Sequence, residues 1–131
     1  YFRLNNIPTY SKGKPKSLKP IFKLLYNSCY LAITPDGPRG PNQKVSEGII
    51  KISSKSQVPI IPIGFASSKF INLKSWDSFI ITKPFSKCAF VWGESITIPN
   101  NCSKTDLENY RKQLETKINE CIKKAKKEIN A

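Results

Sequence analysis

The chain has 131 residues with 39% hydrophobic content, which fits one globular domain with a modest core. Its 22 Lys and Arg residues against 9 Asp and Glu residues give a formal charge of +13, so the expected partners are anionic: nucleic acid, anionic lipid or a phosphorylated substrate. The chain has no His, which excludes the commonest general base and the commonest metal ligand.

The four cysteines are widely spaced and include no C-x-x-C pair, so neither a zinc site nor a thioredoxin-type motif is indicated. We therefore expect no metal or other cofactor. Cys29 and Cys88 stand in strand-like surroundings and are predicted to be buried thiols. The pattern is unlike that of a disulfide-dense scaffold, which favours a reducing cytosol.

The chain contains no Met and opens at Tyr1 in mid-pattern, so we interpret residues 1–131 as a single, N-terminally truncated domain. No apolar run approaches the ~20 residues needed to cross a bilayer. The longest run, residues 58–66, is interrupted by Pro59 and Pro62. These features predict a soluble or peripheral protein.

In chain order, a basic loop at residues 10–16 precedes a short helix over residues 17–27, with Ser17 as N-cap and Pro20 in the first turn. Residues 30–34 predict a strand. A helix over residues 46–57 and a strand over residues 59–65 follow. A helix between two strands indicates a parallel crossover, and ligands of open α/β sheets lie at the C-terminal ends of such strands.

The loop after the first predicted strand, T-P-D-G-P-R-G-P at residues 34–41, is the most informative segment. Asp36 and Gly37 are suited to a tight turn, and the three prolines fix φ, so the loop is expected to hold Arg39 in place. A guanidinium held in this way suits bidentate recognition of a phosphate or a carboxylate. An isolated D-G-P run is also typical of ordinary surface turns.

Residues 79–82 and 89–92 predict a closing pair of strands, and residues 95–98 a short extension. Ser103 and Asp106 predict a capping box at the start of a long C-terminal helix. The helix has one apolar face, formed by Leu107, Tyr110, Leu114, Ile118, Cys121, Ile122, Ala125 and Ile129. The opposite face is predicted to carry Arg111, Lys112, Lys117, Lys123, Lys124, Lys126 and Lys127. Five acidic residues in this segment favour a packed terminal helix over one lying on a membrane.

Several blocks resemble, in the same order, the DUF374 branch of the lysophospholipid acyltransferase-like proteins. They are I-T-P-D-G-P-R-G-P at residues 33–41, E-G-I-I at 47–50, V-P-I-I-P-I at 58–63, L-K-S-W-D-S-F at 73–79, K-P-F-S at 83–86 and W-G-E-S-I-T-I-P at 92–99. The resemblance implies an α/β fold: a partial, acyltransferase-like mixed sheet flanked by helices, with a long C-terminal amphipathic helix. It also implies a cytoplasmic protein that is peripheral at the inner face of the membrane.

In this family a similar loop helps to bind the phosphate of the acyl acceptor. The resemblance therefore implies substrate-binding roles for Asp36, Gly37, Pro38, Arg39 and Gly40. The block that begins with Val58 and Pro59 is implied to lie near the active site and the acyl-chain path. The implied partners are a phosphorylated lipid acceptor or anionic membrane surface, and acyl-CoA or acyl-carrier protein as donor.

The sequence also departs from the family pattern. The family's His-x-x-x-x-Asp-type motif, which activates the acceptor hydroxyl, is absent because the chain has no His, so no catalytic residue is assigned. Residues 10–13, Y-S-K-G, stand where the branch carries an Arg-Gly-Ser-Ser-like stretch. We expect this fragment to be inactive by itself. A basic nucleic-acid-binding module and a membrane-adhering remnant without catalysis are the alternatives.

Overall fold

A computed structural model describes residues 10–11, 14–15, 17–36, 41, 43–75 and 78–130 of the chain. The chain divides into two compact units, residues 1–33 and residues 34–131. The interpretation of the chain as one truncated domain stays a prediction. None of the helices in the described ranges combines the length and the apolar content that spanning a bilayer requires.

The first unit contains two short strands and one helix. Strands β1 (Tyr10–Ser11) and β2 (Lys14–Pro15) pair antiparallel, and helix α1 spans Lys19–Tyr26. Leu18 occupies the N-cap position of α1, one residue after the predicted Ser17. The Ser17 hydroxyl still accepts a hydrogen bond from the backbone N–H of Lys19 at 3.3 Å, and Pro20 lies in the first turn as predicted.

The predicted strand at residues 30–34 is wrong. These residues adopt no regular secondary structure, and the side chain of Tyr30 is fully exposed. A strand requires a neighbouring chain to satisfy its backbone N–H and C=O groups, and none pairs with this segment in the described part of the protein. An apolar run with β-branched residues is therefore not enough, by itself, to predict a strand at this position.

The second unit contains two helices and four strands. Helix α2 spans Glu47–Ser56 and helix α3 spans Lys104–Asn130. The strands are β3 (Ile63–Ser67), β4 (Phe70–Asn72), β5 (Ile80–Thr82) and β6 (Cys88–Trp92). Strand β3 pairs with β6, and β4 pairs with β5. The protein is thus an α/β fold with small sheets and a long C-terminal amphipathic helix, as predicted.

The strand pairing corrects two expectations about the sheet. All strand pairs of the described residues are antiparallel, so the expected parallel crossover and mixed sheet are not found. Strands β5 and β6 do exist, but they pair with β4 and β3 and not with each other. The predicted extension at residues 95–98 contributes a single antiparallel bridge, between Ile96 and Ile60.

The core of the second unit lies between α2, α3 and the segments that flank the strands. Its buried side chains are Val45, Ile50, Ile96, Ile98 and Leu114. The predicted apolar face of α3 is confirmed, because Leu114, Cys121 and Ala125 are buried and the other members are half-buried. The capping box is also confirmed: the Ser103 hydroxyl accepts from the Asp106 N–H at 3.1 Å, and the Asp106 carboxylate accepts from the Ser103 N–H at 3.0 Å.

The cysteine predictions are wrong in the described structure. Cys29 and Cys88 are exposed, whereas Cys121 is buried on α3. Cys88 is the first residue of β6 and pairs with Ser67. Because side chains alternate along a strand, the Cys88 side chain lies on the face of the sheet opposite the one that packs on α3. Strand-like surroundings therefore did not indicate which side of the sheet the thiol occupies.

Candidate functional site

Three of the residues predicted to bind substrate, Asp36, Val58 and Pro59, are described in the structure and flank α2 in the chain. Asp36 is half-buried in a turn before the helix, and Val58 and Pro59 follow the helix. Gly37, Pro38, Arg39 and Gly40 lie outside the described residues, as do Trp76 and Asp77. Since α2 has ten residues at about 1.5 Å each, the helix between Ser46 and Gln57 is roughly 15 Å long.

The loop that contains Arg39 in the sequence is closed at its base. The backbone N–H of Ser46 donates to the carbonyl oxygen of Pro35 at 2.8 Å. Ser46 is the N-cap residue of α2 and has an extended backbone (φ −76°, ψ 143°). The residues that bound this loop are therefore held together at the first turn of a helix, where backbone N–H groups without helical partners favour an anion.

The C-terminal end of the loop is fixed by α3. Val45 is buried, its N–H donates to Oε2 of Glu115 at 3.2 Å, and its carbonyl oxygen accepts from Arg111 at 3.3 Å. Arg111 also donates to Glu115 at 2.9 Å and to Glu108 at 2.8 Å. Side chains of α3 thus satisfy both backbone groups of a core residue one position before the N-cap of α2.

Sequence reasoning missed this role because it placed Arg111 on the exposed basic face of α3. The Arg111 side chain is only 16% exposed. The available signal was its spacing from Glu108 and Glu115, at i−3 and i+4, which is typical of helical ion pairs. The same spacing is common on solvated helices, so it did not identify Val45 as a partner.

The charged side chains beside Val45 and in the first turn of α2 form ion pairs. Hydrogen bonding to Glu108 and then to Glu115 raises the pKa of Arg111 above its usual range, and burial opposes this rise in part. The hydrogen bond from Arg111 in turn lowers the pKa of Glu108. Glu47, in the first turn of α2, pairs with Lys51 at 2.7 Å, and this hydrogen bond lowers the pKa of Glu47. A ligand at this end of α2 would therefore meet a Glu47 carboxylate already neutralised in part.

The C-terminal end of α2 holds Val58 through hydrogen bonds. The Ser53 hydroxyl donates to the Val58 carbonyl oxygen at 2.7 Å, and the Val58 N–H donates to the Ser56 hydroxyl at 3.3 Å. Gln57 ends the helix in the left-handed conformation (φ 57°) and donates through Nε2 to the carbonyl oxygen of Ile98 at 3.1 Å. The turn before Pro59 is thereby tied to the segment that leads into α3.

The structure brings Val58 and Pro59 together at one end of α2 and leaves Asp36 near the other. Among the described side chains, no group of three His, Cys, Asp or Glu residues could hold a metal ion. The candidate site residues stay predictions.

No protein-family model matches the chain, and no solved structure matches it. The chain is similar to an uncharacterized protein of Rickettsia prowazekii (strain Madrid E), with 34% identity over 114 residues. The match covers 87% of this chain and 51% of that protein, so the chain spans about half the length of the relative it matches.

Proposed function

We propose that this chain is the acceptor-binding part of a lysophospholipid acyltransferase-like protein of the DUF374 branch. The complete protein would transfer an acyl group from the thioester of acyl-CoA or acyl-carrier protein to the hydroxyl of a lysolipid-type acceptor. The new ester C–O bond forms as the C–S bond breaks, and the carrier leaves as a thiol. Because the chain has no His, the base that takes the hydroxyl proton is not part of it.

One observation carries the proposal: the loop that contains Arg39 has a fixed base. The hydrogen bond between Ser46 and Pro35 closes the segment that contains Arg39, and Val45, next to Ser46, is held by Arg111 and Glu115. A loop with both ends fixed loses less conformational entropy when it binds a ligand. We propose that Arg39 binds the phosphate of the acceptor. The residues that shape the loop around it are Asp36, Gly37, Pro38 and Gly40.

The other end of α2 supports a role toward the acyl chain. Val58 is half-buried and Pro59 exposed, and both are apolar. Roughly 15 Å of helix separates them from Ser46, which is hydrogen-bonded to Pro35, and this length is suited to a ligand with a phosphate head and an extended acyl tail. The membrane surface, where such acceptors reside, is the proposed location of the protein.

Binding of a short-chain lysophosphatidic acid, below its critical micelle concentration, tests the assignment by isothermal titration calorimetry. We expect Arg39→Ala to weaken binding about tenfold or more, because a charge-assisted hydrogen bond is lost. Arg39→Lys should retain part of the affinity, and the matching monoacylglycerol, which has no phosphate, should bind weakly. Lys55→Ala is the matched control, since it removes one exposed positive charge near the far end of α2.

Equal binding of wild type and Arg39→Ala would contradict the role of the loop. Salt-sensitive binding to double-stranded DNA without any affinity for the lysolipid would favour the nucleic-acid-binding alternative. The isolated chain should show no acyl transfer from acyl-CoA to lysophosphatidic acid.

A further inference from the structure

A β-ribbon extends from the sheet that packs on α3. Strands β4 and β5 continue from β3 and β6 through residues 68–69 and 83–87. Ser68 donates its N–H to the carbonyl oxygen of Lys87 at 2.9 Å, and Lys83 donates to that of Lys69 at 3.0 Å. We call the described part of this ribbon, residues 68–75 and 78–87, the arm.

The arm differs from the rest of the sheet in having apolar side chains exposed on both faces. Ile71 and Ile81 are directly opposite each other on one face, and Phe70 and Ile80 lie on the other. In the arm, the exposed large hydrophobic residues are Phe70, Ile71, Leu73, Phe79, Ile80, Ile81 and Phe85. By contrast, Gly64 and Ala66 of β3 are buried on the side of α3. Seven exposed apolar side chains on one short ribbon indicate an interaction site.

The charges of the arm favour an anionic partner. Lys69, Lys74, Lys83 and Lys87 are all exposed, and none of them forms an ion pair with a described carboxylate. Residues 68–87 include a single acidic residue, Asp77. Aromatic and aliphatic side chains with lysines beside them are typical of segments that lie in the interface of a bilayer, where the ammonium groups reach the headgroup phosphates.

We propose that the arm is a membrane-docking element that inserts shallowly into a bilayer containing anionic lipids. A groove on a protein would cover one face of the ribbon, whereas the headgroup region surrounds both. Insertion is shallow because the free ribbon edges carry backbone groups that require water or headgroup partners. The arm supplies the membrane contact for the acyl acceptor site proposed above, but it is a separate surface with its own test.

The test is co-sedimentation of the whole chain with vesicles of phosphatidylcholine alone or with a third of phosphatidylglycerol. We expect binding to the anionic vesicles and a loss of about tenfold in Ile71→Ser/Ile81→Ser, because two apolar side chains leave the interface. Leu18→Ser/Tyr26→Ser is the control, since Leu18 and Tyr26 are 43% and 68% exposed and belong neither to the arm nor to the proposed acceptor site. The control should retain wild-type binding.

Two further measurements make the result independent of a folding defect. Lys69→Gln/Lys83→Gln, which leaves the apolar residues intact, should lower anionic-vesicle binding by about fivefold per lysine. In a Trp76→Phe/Trp92→Phe background, a single tryptophan introduced by Phe79→Trp, at an exposed position of the arm, should shift its emission to the blue on binding and be quenched by brominated lipid tails.

Vesicle binding that is unchanged by the arm substitutions would overturn the proposal. So would a dimer in size-exclusion chromatography that Ile71→Ser/Ile81→Ser dissociates, because the arm would then be a self-association surface. Failure of this test leaves the lysolipid calorimetry unaffected, because that measurement contains no bilayer. The two proposals can thus fail separately.

Discussion

Gly64 of β3 lies against the backbone of Cys121 in α3, so closely that no side chain fits between them. A Cβ atom built on Gly64 would stand 2.5 Å from the carbonyl oxygen of Cys121 and closer still to its carbonyl carbon. Real Cβ atoms do not approach backbone atoms to this distance. The contact explains how a sheet of only two strands is supported, because a long helix packs directly on its backbone.

Gly64→Ala should therefore force α3 away from β3 and lower the free energy of unfolding by about 1–3 kcal/mol or more. Urea denaturation followed by circular dichroism measures the change. Gly48→Ala is the control, because a Cβ there meets only the Ser46 hydroxyl at 3.7 Å. A Gly64→Ala protein as stable as wild type would show that the helix and sheet are not in this close contact.

The helices were predictable from sequence because their signals are local. The capping box of Ser103 and Asp106 and the period of Leu114, Cys121 and Ala125 lie within a single element. Strand pairing depends on residues far apart in the sequence, which explains why the partner of β6 was predicted wrongly. No local pattern indicated that position 64 requires glycine, because the helix that packs against it begins forty residues later in the chain.

Thiol labelling checks the corrected burial of the cysteines. Under native conditions, a maleimide should modify Cys29 and Cys88 rapidly and Cys102 more slowly, because reaction requires access to the sulfur. Cys121 should react only when the protein unfolds. Peptide mass spectrometry of timed samples gives the order, and early modification of Cys121 would contradict the packing of α3 on the sheet.

Acid should weaken the start of α3 through Asp106. The Ser103 hydroxyl and backbone N–H donate to the carboxylate of Asp106, and these bonds lower the pKa of Asp106 below its ordinary value of 3.8. A lowered pKa in the folded state means that the stabilisation is complete above the unfolded pKa and is lost as the pH falls through the folded pKa. Asp106→Asn should therefore flatten the loss of stability between about pH 5 and pH 2.5.

The same carboxyl can be titrated directly by NMR. Ser103→Ala removes the hydroxyl donor and should raise the pKa of Asp106 toward 3.8. A pKa that does not change in Ser103→Ala would show that the capping box does not form in solution.

The candidate site was only partly accessible to sequence reasoning. The loop around Arg39 was recognisable because glycine and proline have strong local preferences. The contact of Arg111 with Val45 joins residues 66 positions apart, so no local pattern indicates it. Arg111 resembled a solvated basic residue because the other members of the predicted basic face of α3 are lysines, whereas its low exposure and its pairing with Glu108 and Glu115 distinguish it.

Arg111→Met should destabilise the fold and loosen the end of the loop. The substitution removes the Arg111 donor from the Val45 carbonyl oxygen and from Glu108, whereas Oε2 of Glu115 keeps its hydrogen bond from the Val45 N–H. The expected loss is about 1–3 kcal/mol for a half-buried, charge-assisted contact. Arg111→Lys should retain only part of the stability that Arg111→Met loses. An ammonium cannot donate to Glu108, Glu115 and Val45 at once, as the forked guanidinium does.

Thermal unfolding and amide hydrogen exchange separate the two effects of Arg111→Met. Exchange at Val45 and Ser46 should accelerate more than exchange at Leu114, because the former amides close the base of the loop and the latter lies within the helix. Lys51→Ala is the comparison, since it breaks an ion pair that is exposed on both sides and should not alter stability measurably. Equal effects of Lys51→Ala and Arg111→Met would mean that Arg111 acts as one more surface charge, and the fixed base of the Arg39 loop would then rest on the Ser46 to Pro35 hydrogen bond alone.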